Sequence, residues 1–323
     1  MNEQRSVLVT GASGFIGQNL MRELAADRAF TAIGAVRSGR GGPDERVVGS
    51  VDGQTDWSVA LAGVDAVVHT AAQVQAMKDP GGALSQALWE VNVAGTLNLA
   101  RQAARAGVRR FIFMSSIKVN GENTAGDDGF TADDTPAPEE PYGRSKWQAE
   151  QELGKLARET GMEVVVIRSP LVYGKGVKGN FASMIGWVER GLPLPFGAVR
   201  NRRSMIGVDN LTNLIVTCIN HPSAANEVFL ASDDEDLSLP EILERLAGAA
   251  GKPSRVFSVP VWFLETLASL AGKKALARRL LFSLTVDISK TRERLGWVPP
   301  LTLDEGLQRC FSGHGKQTIG HRH

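Results

Sequence analysis

The sequence has few of the features that point to a particular compartment or macromolecular partner. Only two of its 323 residues are cysteine, Cys218 and Cys310, and both fall in apolar helical patterns without metal-ligand spacing. We therefore expect reduced, buried thiols and no metal site. The formal net charge is only +1, so the composition gives no reason to expect nucleic acid or an anionic membrane as a partner.

Long hydrophobic runs are also missing. The first residues show no signal-peptide pattern, because Met1–Ser6 leads directly into an apolar strand. The longest apolar stretch, Val259–Gly272, contains Glu265 and is too short to cross a bilayer. It is predicted to be a helix packed on the protein body, with a helix resting on a membrane surface as the alternative. We expect a cytoplasmic protein without an integral membrane segment.

Short β-branched runs alternate with helical patterns as far as Arg168. This alternation is typical of α/β proteins, in which helices cover both faces of a parallel sheet, and it predicts a Rossmann-type doubly wound sheet with right-handed crossovers. The predicted strands are Ser6–Thr10, Thr31–Val36, Arg46–Val48, Ala66–Thr70, Arg110–Ser115 and Glu163–Arg168, and the predicted helices are Gly14–Ala26, Gly82–Ala106 and Gly143–Thr160.

Three glycines follow the first predicted strand, in the sequence Thr10-Gly11-Ala12-Ser13-Gly14-Phe15-Ile16-Gly17. Glycine at these positions permits a sharp turn, the approach of a pyrophosphate, and close helix–strand packing. A glycine-rich turn without a ligand is the alternative, but the position between a strand and a helix favours dinucleotide binding. The predicted cofactor contacts in this segment are Gly11, Ser13, Gly14, Phe15, Ile16 and Gly17.

The end of the second strand bears on which dinucleotide is bound. NAD sites usually place an acid there to bind the ribose hydroxyls, but this strand ends in Ala35-Val36-Arg37. Arg37 could pair with a 2′-phosphate, so NADP is slightly favoured over NAD, and a merely solvated Arg37 is the alternative. Asp52 suits an adenine amino group or caps a loop. Further predicted cofactor contacts at strand ends are Val51, Asp52, Thr70, Ala71 and Ala72.

The chemistry is predicted to lie where the fifth strand ends and the next long helix begins. Ser116 ends that strand, and Tyr142 and Lys146 lie four residues apart on one helical face. A cation beside a phenol lowers its pKa from ~10 by roughly 1–3 units, so Tyr142 could exchange a proton with a carbinol or carbonyl oxygen. Lys146 and Tyr142 would also contact the cofactor, and Ser116 would hold the substrate oxygen. Asn92, on the preceding helix, is predicted to brace this site or to kink its helix.

These motifs together resemble the extended short-chain dehydrogenase/reductase family, and within its NAD-dependent epimerases and dehydratases the UDP-glucose 4-epimerase-like branch. The similarity covers about residues 6 to 310, and the segments Ser116–Gly121 and Gly176–Phe181 resemble bacterial surface-polysaccharide members. The other segments that carry the resemblance are the glycine turn, His69–Ala72, Tyr142 with Lys146, Arg203–Asp209 and Leu295–Pro299.

The resemblance implies a UDP-sugar substrate and three further contacts to it. Arg203 would clamp a diphosphate, which its planar fork of donors suits, while Asn180 and Asp287 would lie close to the nucleotide. It also implies a homodimer, in which the helix around Asn92–Ala106 and the helix of Tyr142 pair through apolar outer faces.

Four candidate functions are compared for this set of residues. A 4,6-dehydratase of this family carries an Asp-Glu pair after the catalytic hydroxyl, and Ile117 and Lys118 stand there instead. The missing ribose-binding acid and the lack of tyrosine at Asn120 favour reduction of a UDP-4-keto-6-deoxy-N-acetylhexosamine for surface polysaccharide. The alternative is a UDP-hexose 4-epimerase, of glucose/galactose or their N-acetyl derivatives, with bound NAD. A non-catalytic dinucleotide sensor is a remote alternative, because Tyr142 and Lys146 are both present.

The regular alternation ends after Arg168, where a smaller C-terminal substrate-binding α/β portion is predicted. A strand at Glu227–Ala231 is expected to return to the main sheet, and helices are expected at Leu239–Ala250 and Asp304–Phe311. We predict an NAD(P)-binding domain of residues 1–170 plus about 206–232, a substrate domain of residues 171–205 and 233–312, and a disordered tail at residues 313–323.

Overall fold

The computed structural model describes residues 4–39, 42, 44–74, 83–124, 128–270, 272 and 280–311. In these residues, seven parallel strands pair into a central sheet whose order from edge to edge is β3-β2-β1-β4-β5-β6-β9. Its strands are β1 (Arg5–Thr10), β2 (Phe30–Val36), β3 (Glu45–Val47), β4 (Ala66–His69), β5 (Arg110–Ser116), β6 (Glu163–Ser169) and β9 (Val228–Leu230). The predicted Rossmann-type fold class is confirmed.

Helices cover both faces of this sheet. On one face α1 and α6 pack against Val7, Ile112 and Ile167, and on the other α3 and α4 pack against Leu8 and Phe111. Central strands buried on both sides need continuous apolar runs, and every residue of β5 is buried. The helices are α1 (Phe15–Ala26), α2 (Ala83–Trp89), α3 (Thr96–Arg105), α4 (Pro141–Thr160), α5 (Asn180–Glu189) and α6 (Val208–Asn220).

A smaller sheet with its own apolar core follows the main one. It contains β7 (Leu171–Tyr173), β8 (Arg203–Gly207) and β10 (Asp236–Leu237), in the order β10-β8-β7. Helices α5, α7 and α10 pack on the same core. The remaining helices are α7 (Leu239–Ala249), α8 (Val261–Leu270), α9 (Ser289–Leu295) and α10 (Leu303–Phe311). The strand predicted at Glu227–Ala231 does join the main sheet, where β9 pairs with β6. The domain boundaries stay a prediction, and the predicted tail lies outside the described residues.

Two expectations about the long helices need correction. The helix predicted over roughly Gly82–Ala106 is continuous but not regular, because a π-helical turn at Glu90–Gly95 joins α2 to α3. The outer faces of α3 and α4 are polar rather than apolar: their exposed side chains include Arg101, Arg105 and Gln148. Neither helix exposes a large hydrophobic residue.

Cys218 and Cys310 are both buried free thiols. Among the described residues, no helix combines the length and the hydropathy that a membrane span requires.

Candidate active site

A groove of ≈ 660 Å³ runs along the carboxyl ends of β1, β2 and β4. This edge of a doubly wound sheet is where ligands bind in such folds. The predicted cofactor contacts that line the groove are Gly11, Ser13, Gly14, Phe15, Ile16, Gly17, Arg37, Val51, Asp52, Thr70, Ala71 and Ala72. Of the other predicted cofactor contacts, Asn92, Tyr142 and Lys146 lie beyond its lining.

The glycine turn is shaped in a way that only glycine permits. Gly11 has a φ of +66°, and a Cβ there would lie 2.8 Å from the backbone nitrogen of Ala71. A Cβ on Gly17 would lie 2.1 Å from the carbonyl oxygen of Gly11. The turn leads into α1, whose N-cap Gly14 offers no side-chain acceptor. The residues of that first turn line the groove, and the N–H groups of a helix start are suited to a pyrophosphate, so the residues fit a dinucleotide.

Arg37 and Asp52 lie at the end of the groove that the sequence assigns to the adenosine. Arg37 is exposed and follows the last residue of β2. Asp52 stands five residues after β3, not at its end, and its carboxylate accepts hydrogen bonds from Ser50 Oγ and the backbone N–H of Gln54. The Ser50 hydrogen bond is the main reason that the pKa of Asp52 is lowered. Asp52 therefore caps its own loop, and its contact with adenine stays a prediction.

Asn92 connects the groove to the helix that carries Tyr142. Its Oδ1 accepts from the backbone N–H of Gln73 at 2.9 Å, and its Nδ2 donates to the Gln73 carbonyl at 3.0 Å. Nδ2 also donates to Ser145 Oγ at 3.0 Å, which in turn donates to the Tyr142 carbonyl at 2.8 Å. Asn92 therefore links Gln73 to α4 by hydrogen bonds and lies in the π-helical turn, and its role toward a cofactor stays a prediction.

Ser116 ends β5, and Tyr142 and Lys146 lie in the first two turns of α4, which packs against that strand. The Lys146 ammonium donates to the carbonyl of Met114 on β5 at 2.8 Å. Ser116 Oγ accepts from the backbone N–H of Lys118 at 3.3 Å, in the 3₁₀ turn that follows β5. The start of α4 packs closely on this turn, because a Cβ on Gly143 would lie 2.5 Å from the Lys118 carbonyl oxygen. Their catalytic roles stay predictions.

Burial controls the protonation of this site, and one expectation about it is wrong. Burial raises the pKa of Tyr142 to about 12, whereas the sequence predicted a lowered phenol pKa. Burial also lowers the pKa of Lys146 to about 7, although the nearby Glu150 carboxylate opposes the change. Lys146 is 1% exposed, so burial disfavours its charged form. That charged form is the one that would stabilise the phenolate of Tyr142. At neutral pH Tyr142 is a protonated donor.

His69 is a structural residue of this region. It is fully buried, with Nδ1 2.7 Å from Thr10 Oγ1 and Nε2 2.9 Å from Thr96 Oγ1. Burial, and then the charge of Lys146, lower its pKa to about 3. His69 is therefore neutral and joins β1, β4 and α3.

The three substrate contacts implied by the resemblance lie on separate elements. Asn180 is exposed at the start of α5. Arg203 begins β8, and its Nη1 donates to the carbonyl of Phe282 at 2.9 Å. Asp287 precedes α9 and accepts from the backbone N–H of Ser289 at 2.6 Å. Their roles toward a nucleotide stay predictions.

The positions after Ser116 have no acid that could eliminate water. Ile117 is buried, and the ammonium of Lys118 is 2.5 Å from a carboxylate oxygen of Glu122 and 2.7 Å from one of Glu140. Glu140 is the N-cap residue of α4, so Lys118 links the turn after β5 to the helix of Tyr142.

Several residues that line the groove were not predicted from the sequence. Val36 directly precedes Arg37 at the end of β2, so its position could have been found. Glu90 and Val91 come from the π-helical turn, which no sequence pattern announced. The lining residues that were missed are Ala35, Val36, Val48, Ser50, Gln73, Ala87, Glu90 and Val91.

Comparison with known proteins agrees with this geometry. A sequence model of the NAD dependent epimerase/dehydratase family matches residues 7–231. The chain is 46% identical over 308 residues to a "UDP-glucose 4-epimerase" of Vibrio cholerae, with 94% of each chain covered. It is 30% identical over 319 residues to an "N-acetyl-alpha-D-glucosaminyl-diphospho-ditrans,octacis-undecaprenol 4-epimerase" of Escherichia coli O157:H7, covering 95% of this chain and 94% of the relative.

The solved structure of a UDP-glucuronic acid 4-epimerase from Bacillus cereus, in complex with NAD, has the same fold. Its TM-score is 0.75 at 22% identity, with 95% of each chain covered. The prediction of an NAD(P)-dependent enzyme is confirmed, while the choice between the two cofactors is still open. The glycine turn, the groove and the family match agree, and the chain belongs to the NAD dependent epimerase/dehydratase family, among the extended short-chain dehydrogenases/reductases.

Proposed function

We propose that this enzyme interconverts UDP-hexoses that differ in configuration at C4. The observation that carries the proposal is the 46% identity, across 94% of both chains, to the UDP-glucose 4-epimerase of Vibrio cholerae. This reverses the order of preference predicted from the sequence, in which a 4-ketoreductase came first. The absence of tyrosine at Asn120 and the presence of Arg37 are weaker arguments than similarity along the whole chain. Ile117 and Lys118, which directly follow Ser116, do not provide the Asp-Glu pair of a dehydratase.

The groove residues would hold the cofactor, with the glycine turn at the pyrophosphate and Arg37 at the adenosine ribose. NAD(P) supplies the acceptor and donor of hydride at C4 when it is bound. Tyr142 would take the proton of the C4 hydroxyl and later return it to the 4-keto oxygen from the same position. Ser116 would hold that oxygen by a hydrogen bond, and the Lys146 ammonium would stabilise the phenolate of Tyr142.

The site has to overcome the effect of its own burial. A phenol with a pKa of about 12 carries little negative charge at pH 7, so Tyr142 is a poor base until a cation lies close to it. Lys146 has a pKa of about 7 and donates a hydrogen bond to the Met114 carbonyl. A second acceptor, such as a ribose hydroxyl of the cofactor, would raise this pKa and make Lys146 fully cationic. Arg203, which is half-buried at the start of β8, would bind the substrate diphosphate.

The test uses the purified protein without added cofactor. Denaturation should release close to one dinucleotide per chain, and its identity decides between NAD and NADP. Incubation with UDP-glucose should produce UDP-galactose, while UDP-N-acetylglucosamine tests the N-acetyl series. The proposal is wrong if no sugar is interconverted and NADPH is consumed only when a UDP-4-keto-6-deoxy sugar is supplied.

A second candidate substrate is an N-acetylhexosamine linked through a diphosphate to a polyprenol, as the name of the Escherichia coli relative states for that protein. The observation that favours it is the exposed apolar helix α8, on which Trp262 is 67% exposed. The two substrates share the sugar diphosphate and differ in the group at its other end, a nucleoside in one and a polyprenol in the other. Competition between UDP-N-acetylglucosamine and a polyprenyl-diphosphate N-acetylglucosamine in the same assay would distinguish them.

A further inference from the structure

Helix α8 and the segments next to it in the sequence expose several large apolar side chains. The described residues expose twelve large apolar side chains, and six of them fall between residues 257 and 282, so the exposure is concentrated in one region. We call this region the apolar surface, and its members are Phe257, Trp262, Phe263, Leu267, Leu270 and Phe282. Isolated exposed apolar residues are normal, but a cluster of this kind marks a contact with another partner.

The helix itself is apolar on two sides. Val261 and Leu264 pack against the core of the smaller sheet. Phe263, Leu267 and Leu270 follow the spacing i, i+4, i+7, so they share one face, and all three are exposed. The helix therefore packs on the protein body, as predicted, but only through one face, and the other face is exposed.

Basic residues lie beside this surface. Residues 189–202 and 251–270 contain five Lys or Arg but only two acids, Glu189 and Glu265, and one of the five cations, Arg202, is paired with Asp236. Arg200 lines the same cavity as Val261 and Phe282. The overall charge of +1 conceals this local excess. Lys273, Lys274, Arg278 and Arg279 come next in the sequence, but they lie outside the described residues and the apolar surface does not include them.

Arg255 belongs to the same side of the molecule as Phe257. The segment that contains them is extended, because Leu194 exchanges backbone hydrogen bonds of 2.9 Å with Arg255 and Phe257. In an extended chain, residues two apart point the same way, and Val256 between them packs against the core. Arg255 and Phe257 are both exposed, so a cation and an aromatic ring lie together.

We propose that the apolar surface docks this enzyme on an anionic phospholipid bilayer. Aromatic and aliphatic side chains on one face of a helix, flanked by cations, suit the interface between acyl chains and anionic headgroups. A second copy of the chain fits less well, because a two-fold contact places the same patch on both sides and so brings its cations close to like charges. The inference stands on this surface alone and does not depend on which sugar is epimerised.

The experiment is sedimentation of the full chain with vesicles of phosphatidylcholine, with or without phosphatidylglycerol. The wild type should sediment with the anionic vesicles, and added salt should release it. The double variant Trp262→Ser/Phe263→Ser should bind about tenfold more weakly or worse, because it loses two large apolar side chains. Arg200→Glu/Arg255→Glu should also bind weakly. The matched control is Val59→Ser, which removes a 77% exposed side chain elsewhere.

Activity toward UDP-glucose in the absence of vesicles should be the same in all these variants. This assay tests the proposed epimerase activity independently of vesicle binding. Docking is refuted if the wild type ignores anionic vesicles, if the double apolar variant binds as the wild type does, or if charge reversal has no effect. It is also refuted if, without lipid, only the Trp262→Ser/Phe263→Ser variant changes oligomeric state, because a second copy would then cover the surface.

Discussion

At the residue scale, two effects act in opposite directions on Tyr142 and Lys146. The helical spacing of four brings them together, and burial then makes the phenol harder to ionise and the amine harder to protonate. Residue types and spacing thus predicted the pair and its place, but not the direction of the Tyr142 pKa. Burial depends on the packing of α4 against β5, which a local sequence pattern does not contain.

Replacing Tyr142 with Phe should lower kcat for UDP-sugar epimerisation by about 10²–10⁴, because it removes the proton-exchanging group. Lys146→Met should raise the pKa of the phenol further, so the acidic limb of the pH–rate profile should move to higher pH. Steady-state rates between pH 6 and 10 measure both effects. The thermal midpoint of Tyr142→Phe serves as the control for folding, and activity within about tenfold of the wild type would show that another group moves the proton.

At the scale of elements, polar side chains fix the relative positions of the helices and strands around the groove. Asn92 joins the backbone at Gln73 to α4, and His69 joins β1 and β4 to α3. The sequence predicted most of these elements, because apolar periodicity is a local property. It did not predict the π-helical turn. Asn92 lies in that turn, and its side chain forms hydrogen bonds with Gln73 and Ser145, which are 19 and 53 residues away in the chain.

His69 should make the protein sensitive to acid. Its folded pKa of about 3 lies below the ordinary value of 6.5, so the unfolded chain binds the proton more readily. The stability that the neutral ring contributes is therefore complete above pH 6.5 and is lost as the pH falls toward 3. Between pH 7.5 and 4.5 the free energy of unfolding should fall by about 2 kcal/mol more in the wild type than in His69→Gln.

Urea unfolding at the two pH values measures that difference. The variant is less stable at pH 7.5, so the comparison is the change with pH within each protein, not the absolute stability. Equal changes in the two proteins would mean that His69 is already protonated or exposed in the folded state.

At the scale of the whole molecule, the sequence predicted the parallel sheet and the groove at its edge, because both result from successive strand–helix units. It did not predict what the outer surfaces carry. The sequence of Val259–Gly272 predicts an apolar helix, whether that helix packs on the protein or rests on a membrane. Only the folded chain shows that Trp262 and Phe263 are exposed. The outer faces of α3 and α4 were expected to be apolar and are charged, since those helices place their apolar residues against the sheet.

We predict a homodimer formed by α3 and α4, as the resemblance to the family implies, and we place Trp89, at the end of the adjoining α2, in the same interface. The exposed residues there are Trp89, which is 45% exposed, and charged side chains such as Arg101 and Arg105. Such an interface should be salt-sensitive, with Trp89 as its apolar centre. Sedimentation velocity should show a dimer that Trp89→Glu weakens by about tenfold or more in Kd. Trp262→Ser, which changes the more exposed tryptophan on the apolar surface, should leave the dimer intact, and the reverse pattern would place the subunit contact on that surface instead.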